Sequence, residues 1–316
     1  MYDHKKNIEE ILSRNNLGIY NLMKFHFGIG NQITKKFPYA DLTRIFSEKK
    51  QIDQKIILKI GSSLELLNAS FEVHEDVRNG NTERNKTESL WWKYGPAQAI
   101  NVGDGFQAIS RSVLLELSNF TDDYSSVIKI ISKLDESIIE ICEAENHELK
   151  LQESPTATIN DFTDSISNKF GALISNCFLL PSYFLEKKDQ ENLRNLGNSL
   201  AIFEKIRREV DFFESTNNED SPEIGSFISK NKPLTVIFAL EDGDPTLKRE
   251  IGEIYIQRVI DPKNIQKIKD LCLETGSLLK TKELAKTHQR ISEETLNDLG
   301  LEDSKKEEVF KAIQSI

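Results

Sequence analysis

Residues 74–108 read HEDVRNGNTERNKTESLWWKYGPAQAINVGDGFQA, and a helix leads into them. From Ile52 onwards, Ile56, Ile60, Leu64, Leu67 and Phe71 recur at steps of three or four, so they share one helical face that runs into His74-Glu75-Asp76. The segment Arg78–Ser89 (RNGNTERNKTES) has no apolar residue, which predicts a surface loop between helices. Further on, Val127, Ile130, Ile131, Leu134, Ile138 and Ile141 form a second stripe behind the N-cap candidate Asp122. That stripe predicts a helix of about 28 residues, continuing past Cys142 to Leu149. Residues 160–177 and 192–213 read as two more helices, a polar loop is expected at 214–222, and Pro233, Pro245 and Pro262 punctuate shorter helices. No alternating strand pattern and no internal repeat is present. The expected fold is all-α, with residues 1–280 as one helical domain and 281–316 as appended C-terminal helices that have little bulk for a core of their own.

Composition agrees. The 316 residues include only 15 glycines and 8 prolines, fewer than average proteins carry, as long helices require. Apolar residues at 38% with 29% charged supply a sizeable core and exclude a largely disordered chain. The net charge of −10 disfavours a nucleic-acid partner, since binding to phosphate backbones needs a net basic face. Cys142, Cys177 and Cys272 form no C-x-x-C pair, so neither a zinc site nor a disulfide framework is expected, and a reducing cytoplasm fits. No apolar run approaches the length of a membrane span.

The opening stretch resembles the first aspartate-rich region of the polyprenyl synthetase family, the all-helical trans-isoprenyl diphosphate synthases. Their pattern is close to H-D-D-I-x-D-x-D-x-x-R-R-G-x-P-T, then W, G and Q-A-I-N-x-G-D. Trp92, Gly95, Gln98, Ala99, Ile100, Asn101, Gly103 and Asp104 stand in the later places. Further blocks follow in order. K-T-[AG]-A-L looks like Lys169-Phe170-Gly171-Ala172-Leu173, and F-Q-x-x-D-D-x-x-D-[FY] looks like Phe203-Glu204-x-x-Arg207-Arg208-x-x-Asp211-Phe212. A basic block near the start is echoed by Lys35-Lys36-Phe37-Pro38, and a late lysine-rich block by Lys230 and Lys232.

The resemblance implies an isoprenoid-synthase-like helical bundle around a central cavity, with the helices ending near Glu75 and running through Arg207 facing each other. In such a site an allylic diphosphate ionises, isopentenyl diphosphate attacks and a proton is lost. Magnesium ions held by two D-D-x-x-D motifs neutralise the leaving group. The implied catalytic positions are Glu75, Asp76 and Lys169. The implied substrate-binding set is Lys35, Lys36, Arg84, Lys169, Arg207, Arg208 and Lys232, and the implied metal ligands are Glu75, Asp76 and Asp211. The family also pairs through helices between about Ala97 and Leu151, which implies a homodimer or a heterodimer with an active paralogue. The apolar residues Val113, Leu114, Leu117, Val127 and Ile131 exceed what one buried face requires.

The departures from that pattern carry the functional expectation. The first motif reads Glu75-Asp76-x-x-Asn79, changing its charge from −3 to −2, and the second reads Arg207-Arg208-x-x-Asp211, changing −3 to +1. A unit-charge pair at about 4 Å is worth roughly 4 kcal/mol at an effective dielectric of 20, so an arginine at a ligand position repels Mg²⁺ about as strongly as the aspartate attracted it. That leaves Mg²⁺ a place at the first motif only. The paired arginines after the first motif shrink to Arg84-Asn85, the threonine after the helix lysine is Phe170, and Q-x-x-D in the long middle helix is Glu145-x-x-Glu148. Two readings follow: a non-catalytic or regulatory prenyl-diphosphate-binding subunit, or a prenyltransferase that condenses isopentenyl diphosphate with a short allylic diphosphate using fewer metals or another acceptor. In the second, Phe71, four residues before Glu75, would stop elongation early. Arg207 and Arg208 can grip a diphosphate, or simply pair with Glu204 and Asp211 at helical spacing. Trp91, Trp92 and His74 read as structural.

Overall fold

The computed structural model describes residues 3–30, 35–84, 86–154, 156–186, 189–215, 222–257 and 260–316. Sixteen α-helices are found among them: α1 (His4–Leu12), α2 (Gly18–His26), α3 (Pro38–Lys49), α4 (Gln54–Asn79), α5 (Leu90–Tyr94), α6 (Pro96–Leu115), α7 (Tyr124–Glu153), α8 (Ile159–Ile166), α9 (Ala172–Ser182), α10 (Gln190–Glu214), α11 (Pro222–Ile228), α12 (Leu234–Asp242), α13 (Pro245–Ile256), α14 (Pro262–Glu274), α15 (Ser277–Asp298) and α16 (Asp303–Ile313). A two-residue hairpin, β1 (Glu83–Arg84) with β2 (Thr87–Glu88), interrupts the polar stretch after α4. The helix expected over 160–177 is two helices joined by a π-helical turn at Ser167–Gly171. The cap of α7 is Asp123 rather than Asp122: its carboxylate accepts from the backbone N–H and the hydroxyl of Ser126. Among the described residues no helix is long and apolar enough to cross a membrane.

The chain divides into two compact units, one of residues 1–136, 173–194 and 301–316, the other of 137–172 and 195–300. In the first, α4 packs along α6 and against α3. Its burial goes beyond the one stripe legible in the sequence: Ile57, Leu66, Ala69 and Val73 are enclosed along with Ile60, Leu64 and Leu67. A helix surrounded in this way must satisfy its buried polar groups internally. Asn7 donates to Ser62 Oγ (2.7 Å), Ser63 Oγ donates to the Ser110 carbonyl (2.9 Å), and the Glu65 carboxyl accepts from the Ala40 N–H (2.9 Å) near the start of α3. The α16 helix also packs on α3.

In the second unit, α10 is fixed at its C-terminal end by Lys269, whose ammonium donates to the carbonyls of Phe212 and Ser215 (2.7 Å each). These are C-terminal carbonyls that no helical N–H reaches, and a cation there also meets the negative end of the helix dipole. Glu209, fully buried on α10, accepts from the backbone N–H groups of Leu234 (3.0 Å) and Thr235 (2.7 Å). It acts as the N-cap that Pro233 cannot provide for α12. The α15 helix lies on α12, where Thr281 and Thr235 share a hydrogen bond of 3.0 Å. The boundary expected at residue 281 thus falls inside α15.

The apolar residues between Ala97 and Leu151 divide differently from the expectation. Val113, Leu114, Leu117 and Val127 are buried within the chain and Ile131 is half-buried. They belong to the first unit's own core. The exposed large apolar residues there are instead Ile100, Leu115, Phe120, Tyr124, Ile128, Ile139 and Leu149.

Burial pushes the Glu65 carboxyl up to about 8, against the pull of the Ala40 N–H and of Lys35. Between about pH 5 and pH 8 the folded chain therefore holds a proton at Glu65 that the unfolded chain releases, and stability falls as pH rises through that window. Glu65→Gln keeps the acceptor for Ala40 and removes the titration. Chemical denaturation at several pH values should give a variant whose stability declines less steeply, by up to about 1.4 kcal/mol per pH unit.

Candidate functional site

In the first unit the site is built at the C-terminal end of α4. Gly80, at φ +68°, provides the left-handed residue that stops the helix, and the Asn81 N–H returns to the Asp76 carbonyl (3.0 Å). The chain then turns back through the small hairpin. Its register pairs Arg84 with Thr87, and the Thr87 hydroxyl donates to the Arg84 carbonyl (2.7 Å). The Ser89 N–H donates to the Thr82 carbonyl (2.9 Å), and Trp91 Nε1–H to the Asn81 carbonyl (2.6 Å). The structural role expected of Trp91 is thus specific: it ties the hairpin down.

This return aims Arg84 at the first motif. Its Nε donates to both oxygens of Asp76 (3.0 and 3.1 Å), while Nη2 lies 2.8 Å from Asp76 Oδ1 and 2.9 Å from Glu75 Oε2. Asn81 Nδ2 adds a third donor to Asp76 (3.1 Å). Burial works against the Arg84 charge, but Glu72, Asp76 and Glu75 outweigh it and hold the guanidinium firmly protonated. Asn79, at the motif's last position, is exposed and accepts from Arg78 Nε rather than joining the two carboxylates. Asn85, which replaces the second of the paired arginines, lies outside the described residues.

One turn back along α4, Glu72 accepts from Lys35 Nζ (3.0 Å), His26 Nε2 (2.9 Å) and Asn68 Nδ2 (3.1 Å). Burial, then the neighbouring Lys35, pushes His26 down to about 4, so it is neutral and donates. Burial raises the Glu72 carboxyl, but Lys35 and His26 prevail and hold it well below the usual carboxylate range. Neither residue is among the motif positions named above. Glu72 was findable, three residues before Glu75 on the same helical face, whereas nothing local marks His26. Lys36, beside Lys35, points away and donates to Ser315 Oγ (3.2 Å).

In the second unit Lys169 sits on the π turn, a common device for placing a functional side chain. Its ammonium lies 3.0 Å from Glu148 and 3.6 Å from Glu145, and Glu148 also accepts from Ser165 Oγ (2.9 Å). Arg207 on α10 grips Glu204 through Nε (2.8 Å) and Nη2 (2.7 Å), and reaches Asp211 through Nη1 (2.6 Å). Arg208 turns to Glu223 (3.3 Å), which Lys205 also contacts (2.8 Å). Lys232 donates to the Leu151 carbonyl in the last turn of α7 (2.9 Å), and burial, helped by Lys230, draws its ammonium down to about 8. Within the first unit the structure thus unites Glu75, Asp76 and Arg84 and leaves Lys36 apart. Within the second it unites Arg207 with Asp211 and leaves Lys169 and Lys232 each on separate partners.

Such a donor set does not suit a divalent ion. Mg²⁺ demands near-octahedral oxygen ligation at about 2.0–2.1 Å, and the oxygens of Asp76 are already taken by Arg84 and Asn81. At the second motif the one carboxylate, Asp211, is mostly exposed and paired with Arg207. Among the described residues no group of three or more His, Cys, Asp or Glu is disposed to hold a metal.

The block QAINVGD has a packing role. The His74 ring lies over Gly103, with Nε2 3.4 Å from the Ile100 carbonyl and 3.4 Å from Asp104 Oδ1. Ala99 and Val102 complete the buried side of α6.

Residues 30–274 match the family described as Polyprenyl synthetase. The chain belongs to that family. It is 23% identical over 258 residues to a short chain isoprenyl diphosphate synthase of Methanocaldococcus jannaschii, covering 78% of this chain and 74% of that one. It is 24% identical over 244 residues to solanesyl diphosphate synthase 2, chloroplastic, of Arabidopsis thaliana, covering 76% of this chain and 55% of that one. The crystal structure of a polyprenyl synthetase from Streptomyces coelicolor superposes with a TM-score of 0.82 at 19% identity, covering 98% of this chain and 95% of the other. The all-α fold of the polyprenyl synthetases is therefore this chain's fold.

A Cβ at Gly103 would stand 2.2 Å from His74 Nε2. Gly103→Ala should therefore lower stability by about 1–3 kcal/mol through overpacking. In a His74→Ala background the same substitution should become neutral or stabilise by up to about 1 kcal/mol, because alanine is the better helix former. Thermal denaturation of the four variants of this cycle measures the sign reversal.

Proposed function

We propose that this chain is a prenyl-diphosphate-binding member of the polyprenyl synthetase family that no longer elongates its ligand. It serves as a non-catalytic or regulatory subunit of isoprenoid metabolism in the cytoplasm, as a homodimer or beside an active paralogue. The observation that carries this reading is the charge at the second motif, where Arg207 and Arg208 stand in the places of metal-binding aspartates. A guanidinium repels a divalent ion, yet its planar fork matches the oxygens of a diphosphate at roughly twice the strength of a neutral hydrogen bond. Arg207 keeps a bidentate grip on the buried Glu204 through Nε and Nη2, while its Nη1 contact with the mostly exposed Asp211 is of the weak, solvent-screened kind and leaves that nitrogen available for exchange. A side-chain cation on a flexible stem neutralises a departing diphosphate less well than fixed divalent ions, which disfavours ionisation of the allylic bond. The exposed Ile100, Leu115, Tyr124 and Ile128 support a protein partner.

The competing reading is an active prenyltransferase that works with fewer metals or another acceptor. Lys169 favours it, since that lysine is kept in place on the π turn between two glutamates.

Incubation with isopentenyl diphosphate and dimethylallyl, geranyl or farnesyl diphosphate in Mg²⁺ should yield no elongated product; any condensation product decides for the competing reading. Calorimetry with a nonhydrolysable allylic diphosphate analogue should show binding that survives EDTA. The double variant Arg207→Ala, Arg208→Ala should weaken it at least about tenfold, the loss of roughly one charge-assisted hydrogen bond. Affinity that needs Mg²⁺, or that ignores the double variant, would refute the role given to these arginines.

A further inference from the structure

We propose that Arg84 is the resident cation of the first motif, a built-in guanidinium that occupies the Glu75 and Asp76 carboxylates and masks a divalent-cation site. One nitrogen, Arg84 Nη2, bridges Asp76 Oδ1 at 2.8 Å and Glu75 Oε2 at 2.9 Å, while Nε takes both oxygens of Asp76. An atom placed between two carboxylates in this way does what a bridging ion would do. Asp76 is 2% exposed, so water does not serve its charge and the donors that do are Arg84 and Asn81.

The arginine is also held from behind. Its carbonyl accepts from Thr87 and its strand is paired, and the hairpin is closed by Ser89 to Thr82 and by Trp91 to Asn81. Asn81 is anchored in turn to Asp76 through both its backbone and its side chain. The guanidinium therefore arrives with the fold, at no cost in recruitment, and a dissolved ion must displace a tethered competitor. Removing the Arg84 charge leaves two carboxylates within reach of a single ion, Asp76 buried and Glu75 half-buried with Arg78 Nη2 4.0 Å from its Oε1. A divalent cation is the small species best suited to fill that gap. This inference does not depend on whether a prenyl diphosphate binds.

The test is a titration with Mn²⁺ followed by electron paramagnetic resonance, with no diphosphate present. The natural chain should show no saturable site at millimolar Mn²⁺. Arg84→Gln should bind one Mn²⁺ at least about tenfold more tightly. Arg84→Lys, which keeps the charge, should stay close to the natural chain. Adding Glu75→Gln and Asp76→Asn to Arg84→Gln should remove the gain. Tight binding by the natural chain that Glu75→Gln and Asp76→Asn abolish, a folded Arg84→Gln that binds no better, or a gain that survives loss of both carboxylates would each overturn the proposal. Should Arg84→Gln fail to fold, the natural chain still decides. The Arg84 Nε–H resonance should be unmoved by millimolar Mg²⁺, and displacement of that resonance overturns the proposal.

Discussion

A carboxylate taken out of water must be given a proton, a cation or several hydrogen-bond donors, because an unsatisfied buried charge costs more than a small domain can spare. The α4 helix carries four carboxylates within three turns, Glu65 and Asp76 buried and Glu72 and Glu75 partly so, and the first unit meets the requirement in three ways. Glu65 keeps its proton and caps α3. Glu72 is ionised and takes Lys35, His26 and Asn68. Glu75 and Asp76 share Arg84. The start of α3, the position of Lys35 and the hairpin after α4 are in this sense all consequences of one acidic helix face.

The second unit obeys the same constraint with the signs exchanged. Lys169 is matched by Glu145 and Glu148, Arg207 by Glu204 and Asp211, and Arg208 by Glu223. Where no carboxylate is at hand, helix ends serve: Lys232 and Lys269 donate to terminal carbonyls of α7 and α10. Glu209 supplies the complementary service at the start of α12. Charged side chains and helix termini thus serve as mutual caps at the ends of α7 and α10 and at the start of α12.

The legible part of the fold was the part set by local periodicity. The stripes on α4 and α7 are visible because the side-chain period of a helix is a local property of the chain. Burial of α4 on other faces was not visible, since Leu66 and Val73 are enclosed by helices distant in sequence. The π turn at Lys169 is not legible in the sequence because one extra residue in a helical turn leaves the apolar pattern on either side intact. The polar loop was correctly expected, but its hairpin was not. Two-residue strands carry no alternation to read, and the turn is held by Thr87 and Trp91 rather than by Asn-Gly or Asp-Gly. The motif residues could be named from the resemblance, whereas their partners required coordinates, since Lys35 to Glu72 and Lys169 to Glu148 are 37 and 21 residues apart.

Those partnerships explain how the chain keeps a family fold while departing from the family's charge pattern. Positions that set helix contact, such as Gly103 beneath His74, are constrained by volume, and an added atom fits only if the side chain packed against it shrinks as well. Charged positions are constrained only by balance. An arginine at residue 207 is tolerated because Glu204 lies one turn before it and Asp211 one turn after, whereas Arg84 stands where the family pattern also has an arginine and keeps Asp76 paired. Each such change leaves the local charge neutralised and the packing untouched, so the departures fall on the positions where chemistry, not architecture, would have demanded the original residue.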